Sequence, residues 1–140
     1  MKRAAVVSVA LVVGLIGTAS GAAALHGADF SVAVSCDGNT IQTAGSVNHY
    51  NPDVPFGDGM SVTQKAQTTQ TSTSRVFFRG PSGNDTVTKS VSNNTTATWD
   101  GIAAGVYKVM VYRSTASNCN GVLPGNGNYN WVATVNVGLW

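Results

Sequence analysis

Short segments in which apolar and polar residues alternate recur along this chain, and they constrain its fold more than any other feature. In one segment the apolar positions are Phe30, Val32, Val34 and Cys36. Close to the end of the sequence, those of another segment are Trp131, Ala133, Val135 and Val137. Alternation with a period of two places the apolar side chains on one face of an extended strand. Both segments are therefore predicted to be β-strands with one buried face, and Trp131 is predicted to lie in the core.

Turn residues separate further segments of this kind at intervals of about 8–14 residues. The clearest breaks are Asp37-Gly38-Asn39, Asn93-Asn94 and the Gly-Pro-Ser-Gly-Asn stretch at 80–84. Residues 106–112 are apolar except at Lys108, which predicts a central strand that is buried on both faces. No helical periodicity follows the first 24 residues. We expect an all-β fold, an antiparallel β-sandwich of about seven or eight strands.

The first 24 residues have the order of a secretory signal peptide. Met1-Lys2-Arg3 is basic, residues 4–16 are apolar, and residues 17–24 are small. A membrane-spanning helix needs about 20 mainly apolar residues, and this run is shorter. We predict cleavage after Ala24, which leaves residues 25–140 as a single extracellular domain without a membrane segment.

The leader also accounts for the net charge of the chain. Of the 8 basic residues, Lys2 and Arg3 lie in the leader, so the remainder balances the 6 acidic residues, all of them Asp. A neutral domain lacks the positive surface that nucleic acids and anionic membranes require of their partners. The sequence therefore predicts neither of these partners for the processed protein.

Cys36 and Cys119 are the only cysteines. In a secreted chain two cysteines predict one disulfide bond. Such a bond closes a loop of roughly 84 residues and stabilises the fold by about 4–5 kcal/mol at most. A thiol nucleophile or a metal site would need partner side chains, and the only histidines are His26 and His49.

The sequence contains no recognisable catalytic motif. His49 is the only histidine well inside the domain, and the turn at 80–83 lacks the Gly-x-Ser-x-Gly pattern of a hydrolase nucleophile. Most aspartates stand beside Gly or Asn, which indicates turn formation rather than the paired carboxylates of a glycosidase. The spacing of three loop residues that could offer oxygen ligands to calcium matches no EF-hand: Asn51, Asp53 and Asp58. We predict a non-enzymatic protein with no cofactor and no metal.

Binding is the chemistry that the loops favour. The segment 114–130 is rich in Asn and Gly and contains Cys119, and loops on rigid sandwiches often carry recognition. Amides beside aromatic rings suit either sugars or protein surfaces. The Thr-rich segments 67–74 and 95–98 are predicted to be exposed edges that a partner strand could join. The candidate binding residues are Tyr50, Asn126, Asn128, Tyr129 and Trp140.

The stretch from Trp99 to Val109 resembles the corner between strands E and F of immunoglobulin-like and fibronectin-III-like sandwiches. The resemblance implies an immunoglobulin-like fold in which the Tyr107 hydroxyl bonds back to nearby backbone. It also implies that Ile102 plugs the core beneath the turn. A fold of this kind carries no information about function.

In its size, leader, cysteine pair and strand composition, the chain resembles the adaptor subunits of actinobacterial umbrella-like toxin particles. That resemblance implies a secreted protein-binding module, an adaptor or structural subunit of an extracellular assembly. Its contacts would come from residues 25–30 and from the loop 114–130. The alternative is a carbohydrate-binding module. An exposed, coplanar set of aromatic rings would favour a glycan ligand, whereas buried aromatics and a bare edge strand would favour a protein partner.

Overall fold

The computed structural model describes residues 27–49, 59–66, 73–113 and 127–138. These residues form eight β-strands: β1 Ala28–Ser35, β2 Gln42–His49, β3 Met60–Gln64, β4 Ser74–Arg79, β5 Lys89–Val91, β6 Thr96–Trp99, β7 Gly105–Tyr112 and β8 Asn128–Val137. The described part of the chain contains no helix, and hence none long and apolar enough to cross a membrane. The predicted all-β class is confirmed.

The strands form two antiparallel sheets. Sheet A has the order β1-β8-β3-β6, and sheet B has the order β2-β7-β4-β5. The pairing is nested, because the first strand pairs with the last, the second with the seventh, the third with the sixth and the fourth with the fifth. This is the strand order of a jelly roll, a sandwich built from two interleaved Greek keys.

The predicted immunoglobulin-like strand order is therefore not the order observed. In immunoglobulin-like sandwiches the first two strands are neighbours in one sheet, whereas β1 and β2 lie in opposite sheets. The corner that suggested the resemblance is nevertheless present. The Tyr107 hydroxyl donates to the Ala103 carbonyl at 2.9 Å, and Ile102 packs against the core. Such a corner is a local arrangement at the start of β7, and it does not determine which strands become neighbours in a sheet.

The core lies between the two sheets. Trp131 is completely buried in β8, as predicted, and its indole N–H donates to the Gln64 side-chain oxygen at 3.0 Å. The rings of Phe78 and Trp99 pack edge to face with centroids 4.9 Å apart.

The predicted central position of the strand at residues 106–112 is confirmed, since β7 lies between β2 and β4, but its predicted burial on both faces is wrong, because Val106 and Lys108 are exposed. Its inward residues Tyr107, Val109 and Val111 belong to the same buried cluster as the inward residues of β8.

A glycine allows the two sheets to approach closely at β1 and β2. Phe30 from β1 lies over Gly45 in β2, where a Cβ atom would come within 2.3 Å of the Phe30 ring. The pairing of β2 with β7 also shifts between Thr43 and Gly45, which marks a β-bulge. On this side, one aromatic ring lies directly over the bare backbone of the opposite sheet.

Candidate interaction surface

The sandwich has two flanks, and the flank formed by β5 and β6 is protected against pairing with a further strand. These edge strands have only three and four residues. The Lys89 ammonium donates to the Thr98 carbonyl and bridges the two sheets, and the Trp99 indole N–H donates to the Val87 carbonyl at 2.7 Å. Short edge strands and an edge lysine are devices by which natural proteins prevent edge-to-edge pairing. We call this side the closed flank.

The opposite side, formed by β1 and β2, is here called the open flank. Each strand has eight residues, and among the described strands each is paired on one side only. Neither strand contains Lys, Arg, Glu or Pro. The one carboxylate, on Asp29, is occupied by the Lys65 ammonium and the Thr134 hydroxyl, both at 2.6 Å. The bulge in β2 is a partial protection, and β1 has a continuous register with β8.

Within the described part of the chain, the backbone of β1 has unpaired groups that point toward the open flank. The Cys36 N–H donates to the Gly127 carbonyl at 3.0 Å, and the same register extends along all of β1. In an antiparallel ladder, alternate residues bond to the neighbour and the residues between them point away. Ser31 and Ala33 are such intervening residues. Consistently, the Val132 carbonyl opposite Ser31 accepts from the Lys65 N–H on the far side of β8.

Apolar side chains line the same flank. Phe30, Val32 and Ala44 pack against the core but are only partly buried. Ile41, in the connection between β1 and β2, is 45% exposed. The open flank therefore combines backbone groups that no described strand pairs with and apolar surface that the two sheets leave incompletely covered.

The turn after β1 holds one end of the flank in place. The Asp37 carboxylate accepts from the hydroxyl and the N–H of Thr40 and from the N–H of Asn39. These hydrogen bonds, led by the Thr40 hydroxyl, hold the pKa of Asp37 well below its usual range. Turn formation is the role that the Asp37-Gly38-Asn39 sequence predicted. Cys36 is buried beside this turn.

The Cys36 sulfur is not a free thiol. Its predicted partner Cys119 lies outside the described residues, so the pairing stays a prediction. The connection that contains Cys119 returns at Gly127, which is hydrogen-bonded to Cys36. The structure thus brings one end of that connection to the predicted position of the bond.

No family model, curated protein or solved structure matches this chain.

Of the predicted binding residues, Tyr129 does not lie on the surface. Its ring is only 6% exposed, its hydroxyl is 2.7 Å from the Ser74 hydroxyl, and the Arg113 guanidinium carbon lies 5.2 Å from the ring centroid. Burial raises the pKa of the Tyr129 phenol. We therefore correct the expectation of an exposed Tyr129. The reason is that β8 begins at Asn128, which places Tyr129 on the same inward face as Trp131.

Of the other predicted binding residues, the structure describes only Asn128. Asn128 is exposed at the start of β8. Tyr50, Asn126 and Trp140 lie outside the described residues. The exposed surface at the open flank was not among the predicted sites, except for the overlap of residues 28–30 with β1.

His49, the histidine tested for catalysis, is 1% exposed at the end of β2. Neither of its ring nitrogens has a hydrogen-bond partner among the described residues, and its ring meets that of Tyr107 edge to face at 6.5 Å. No group of three or more His, Cys, Asp or Glu side chains suited to a metal ion occurs among the described residues. The calcium hypothesis concerned Asn51, Asp53 and Asp58, which lie outside them.

Proposed function

We propose that this protein is a secreted, non-enzymatic protein-binding module, an adaptor or structural subunit of an extracellular assembly. Its partner adds a strand to β1 at the open flank. The observation that carries this proposal is the contrast between the two flanks: one is shortened and bridged by Lys89, and the other offers a long, regular and nearly uncharged edge.

Addition of a partner strand would use both the backbone groups and the apolar side chains of the open flank. Main-chain hydrogen bonds supply affinity in this mode, and pockets for alternate side chains supply specificity. The free N–H and C=O groups of Ser31 and Ala33 would pair with the incoming strand. The inward side chains of that strand would cover Phe30 and Val32, whose exposed surface is apolar.

Carbohydrate binding remains the second candidate, and one observation favours it. The outer face of sheet A is mostly Ser, Thr and Asn, as in the hydroxyl pair Thr63–Thr96 at 2.7 Å. Such a face offers hydrogen bonds to sugar hydroxyls. The aromatic platform expected for a glycan site has less support, because Tyr129 and Trp131 are both buried.

Proline at Ser31 tests strand addition directly. Because the Ser31 N–H points away from β8, Ser31→Pro removes a free donor without breaking the β1–β8 ladder. The control is Ser31→Val, which alters the same side chain and keeps the N–H. Each protein is secreted by the expressing cells, purified by affinity from spent medium and analysed by mass spectrometry for stoichiometric partners.

We expect wild type and Ser31→Val to retain the same partner and Ser31→Pro to lose it, with unchanged thermal unfolding. Retention of that partner by folded Ser31→Pro would contradict strand addition at β1. Binding to a glycan column without any stoichiometric protein partner would contradict the proposed function itself.

A further inference from the structure

The uncovered apolar surface of the open flank is confined to one part of β1. On the inward face of this strand, Phe30 and Val32 are only partly buried, whereas Val34, two residues further along, is completely buried. Ser31 and Ala33, whose backbone groups point away from β8, are exposed. Backbone groups that no described strand pairs with and uncovered apolar side chains thus occur side by side between residues 30 and 33.

Small residues in β2 leave this surface incompletely covered from the other sheet. Gly45 lies against the Phe30 ring, and a Cβ atom at that position would come within 2.3 Å of the ring. Neighbouring Ala44 adds only a methyl group and is itself partly buried. An added strand would therefore bring its own inward side chains against Phe30 and Val32.

The charge on β1 and β2 is already balanced. Asp29 carries the only carboxylate of the two strands, and neither strand contains lysine or arginine. The Asp29 carboxylate is bound by the Lys65 ammonium and the Thr134 hydroxyl, both at 2.6 Å. A charged side chain on the inward face of an added strand would be buried against Phe30 and Val32 without a counter-ion from the described part of the chain. Such burial is strongly unfavourable.

The geometry of antiparallel pairing decides which positions of an added strand meet the apolar surface. Ser31 and Ala33 would exchange hydrogen bonds with the residues opposite them, because their backbone groups point outward. The residues opposite Phe30 and Val32 would form non-hydrogen-bonded pairs, in which side chains approach most closely. These two positions are separated by one residue, and the side chain of that residue points to the outer face of sheet A.

We infer that the open flank takes an extended segment of another protein, antiparallel to β1, with two apolar residues separated by a single residue. The two apolar side chains pack on Phe30 and Val32. The residue between them faces solvent, so it is polar or charged without penalty. This inference rests on the proposed function, since it specifies the chemistry of the strand that is added to β1.

The probe is a fluorescein-labelled heptapeptide of serine and threonine in which one threonine separates two isoleucines. Its matched control has the same composition with the isoleucines adjacent, so that they point to opposite faces of a strand. Binding to the secreted protein is followed by fluorescence anisotropy. We expect the control to bind about tenfold more weakly, because it buries one isoleucine fewer. Equal affinity of the two peptides, or binding of neither, would overturn the inference.

Lysine substitutions in the probe test the charge argument. Lysine in place of one isoleucine should abolish binding, because the ammonium group would be buried without a counter-ion. Lysine in place of the threonine between the isoleucines should leave the affinity nearly unchanged, since that side chain faces solvent. If both peptides lose affinity equally, the two faces of the added strand are not distinguished and the inference is wrong.

A pair of protein variants locates the contact. Val32→Thr keeps nearly the same volume, removes apolar surface and should weaken the probe about threefold. Val87, which is 67% exposed in the connection between β4 and β5, supplies the control, and Val87→Thr should bind the probe as wild type does. Equal affinities of the two variants would contradict packing on Val32.

Methylation of single backbone nitrogens in the probe separates this inference from strand addition itself. The N–H of the threonine between the isoleucines points toward β1, so its methylation should abolish binding, whereas methylation of either isoleucine nitrogen should not. If only the threonine position is sensitive but both isoleucine arrangements bind equally, strand addition stands and the inferred partner chemistry fails. If the threonine position is insensitive, strand addition fails as well.

Light scattering on the protein alone tests the other occupant of this edge. We expect the mass of a monomer, because the inferred segment belongs to another protein. A dimer that Ser31→Pro dissociates would show that a second copy pairs with β1, and it would overturn the assignment.

Discussion

The indole N–H of Trp131 donates to the side-chain oxygen of Gln64 at 3.0 Å, and both side chains are completely buried. The Gln64 amide nitrogen in turn donates to the Asn93 side-chain oxygen at 2.8 Å. The buried Gln64 side chain thus provides the acceptor for the indole N–H of Trp131, the largest fully buried side chain among the described residues. A buried donor without a partner is expensive, so this pair constrains the fold strongly.

Gln64→Leu should therefore destabilise the protein by about 2 kcal/mol, because it leaves the Trp131 N–H buried without an acceptor. Urea denaturation, monitored by tryptophan fluorescence, measures the change in the free energy of unfolding. The neighbouring Thr63→Val is the control, since that hydroxyl is exposed and its replacement should cost less than about 0.5 kcal/mol. Equal effects of the two substitutions would show that the buried hydrogen bond is unimportant.

Tyr129 should make the fold sensitive to alkali. Burial raises the pKa of its phenol above the unfolded value, so its contribution is complete below about pH 10 and is lost as the pH rises further. Tyr129→Phe should flatten this alkaline decline in melting temperature. At neutral pH it should cost about 1 kcal/mol, because the buried Ser74 hydroxyl loses its partner. An alkaline decline of the same slope in Tyr129→Phe would count against this assignment.

Asp37 should make the stability of the fold depend on pH at the acidic end of the range. Its pKa is lowered by the hydrogen bonds from Thr40 and Asn39, so its contribution is present above about pH 4 and is lost as the pH falls. Thermal unfolding between about pH 5 and pH 2 should show a shallower decline for Asp37→Asn than for wild type. If both proteins lose stability in parallel over this range, the turn does not act through the carboxylate charge.

The cysteine pair should be joined by a disulfide. Non-reducing peptide mapping of the secreted protein should recover Cys36 and Cys119 in one linked fragment that dithiothreitol separates. Replacing both cysteines by serine should lower stability by up to about 4–5 kcal/mol, the chain-entropy value for a loop of this length. Recovery of unlinked peptides with alkylated thiols would refute the pairing.

Local alternation was sufficient to predict strands such as β1 and β8 and the inward position of Trp131, but not β2, whose residues 42–49 have no regular apolar alternation. It also contained the signal that Tyr129 is buried, because Tyr129 is two residues before Trp131 and hence in phase with it. The loop predicted over residues 114–130 includes Tyr129, so the phase relation between Tyr129 and Trp131 is not used in that prediction. Where a strand begins depends on its partner, and β8 begins at Asn128 because Ser35 pairs with it.

Strand order was beyond the reach of the sequence. The corner at Tyr107 is a local arrangement and formed as predicted, whereas the neighbours of β1 and β2 depend on packing between distant segments. The open flank could therefore not be identified, since an edge is defined only by the strands that fail to cover it.

Amide hydrogen exchange along β1 tests the central claim most directly. In the secreted protein alone, the Phe30 and Val32 amides, which point toward β8, should exchange slowly, and those of Ser31 and Ala33 should exchange fast. When the partner recovered with the protein is added, exchange of the Ser31 and Ala33 amides should slow by at least about fivefold, in step with a backbone hydrogen bond worth about 1 kcal/mol or more. Unchanged fast exchange of both amides in the complex would contradict strand addition at the open flank.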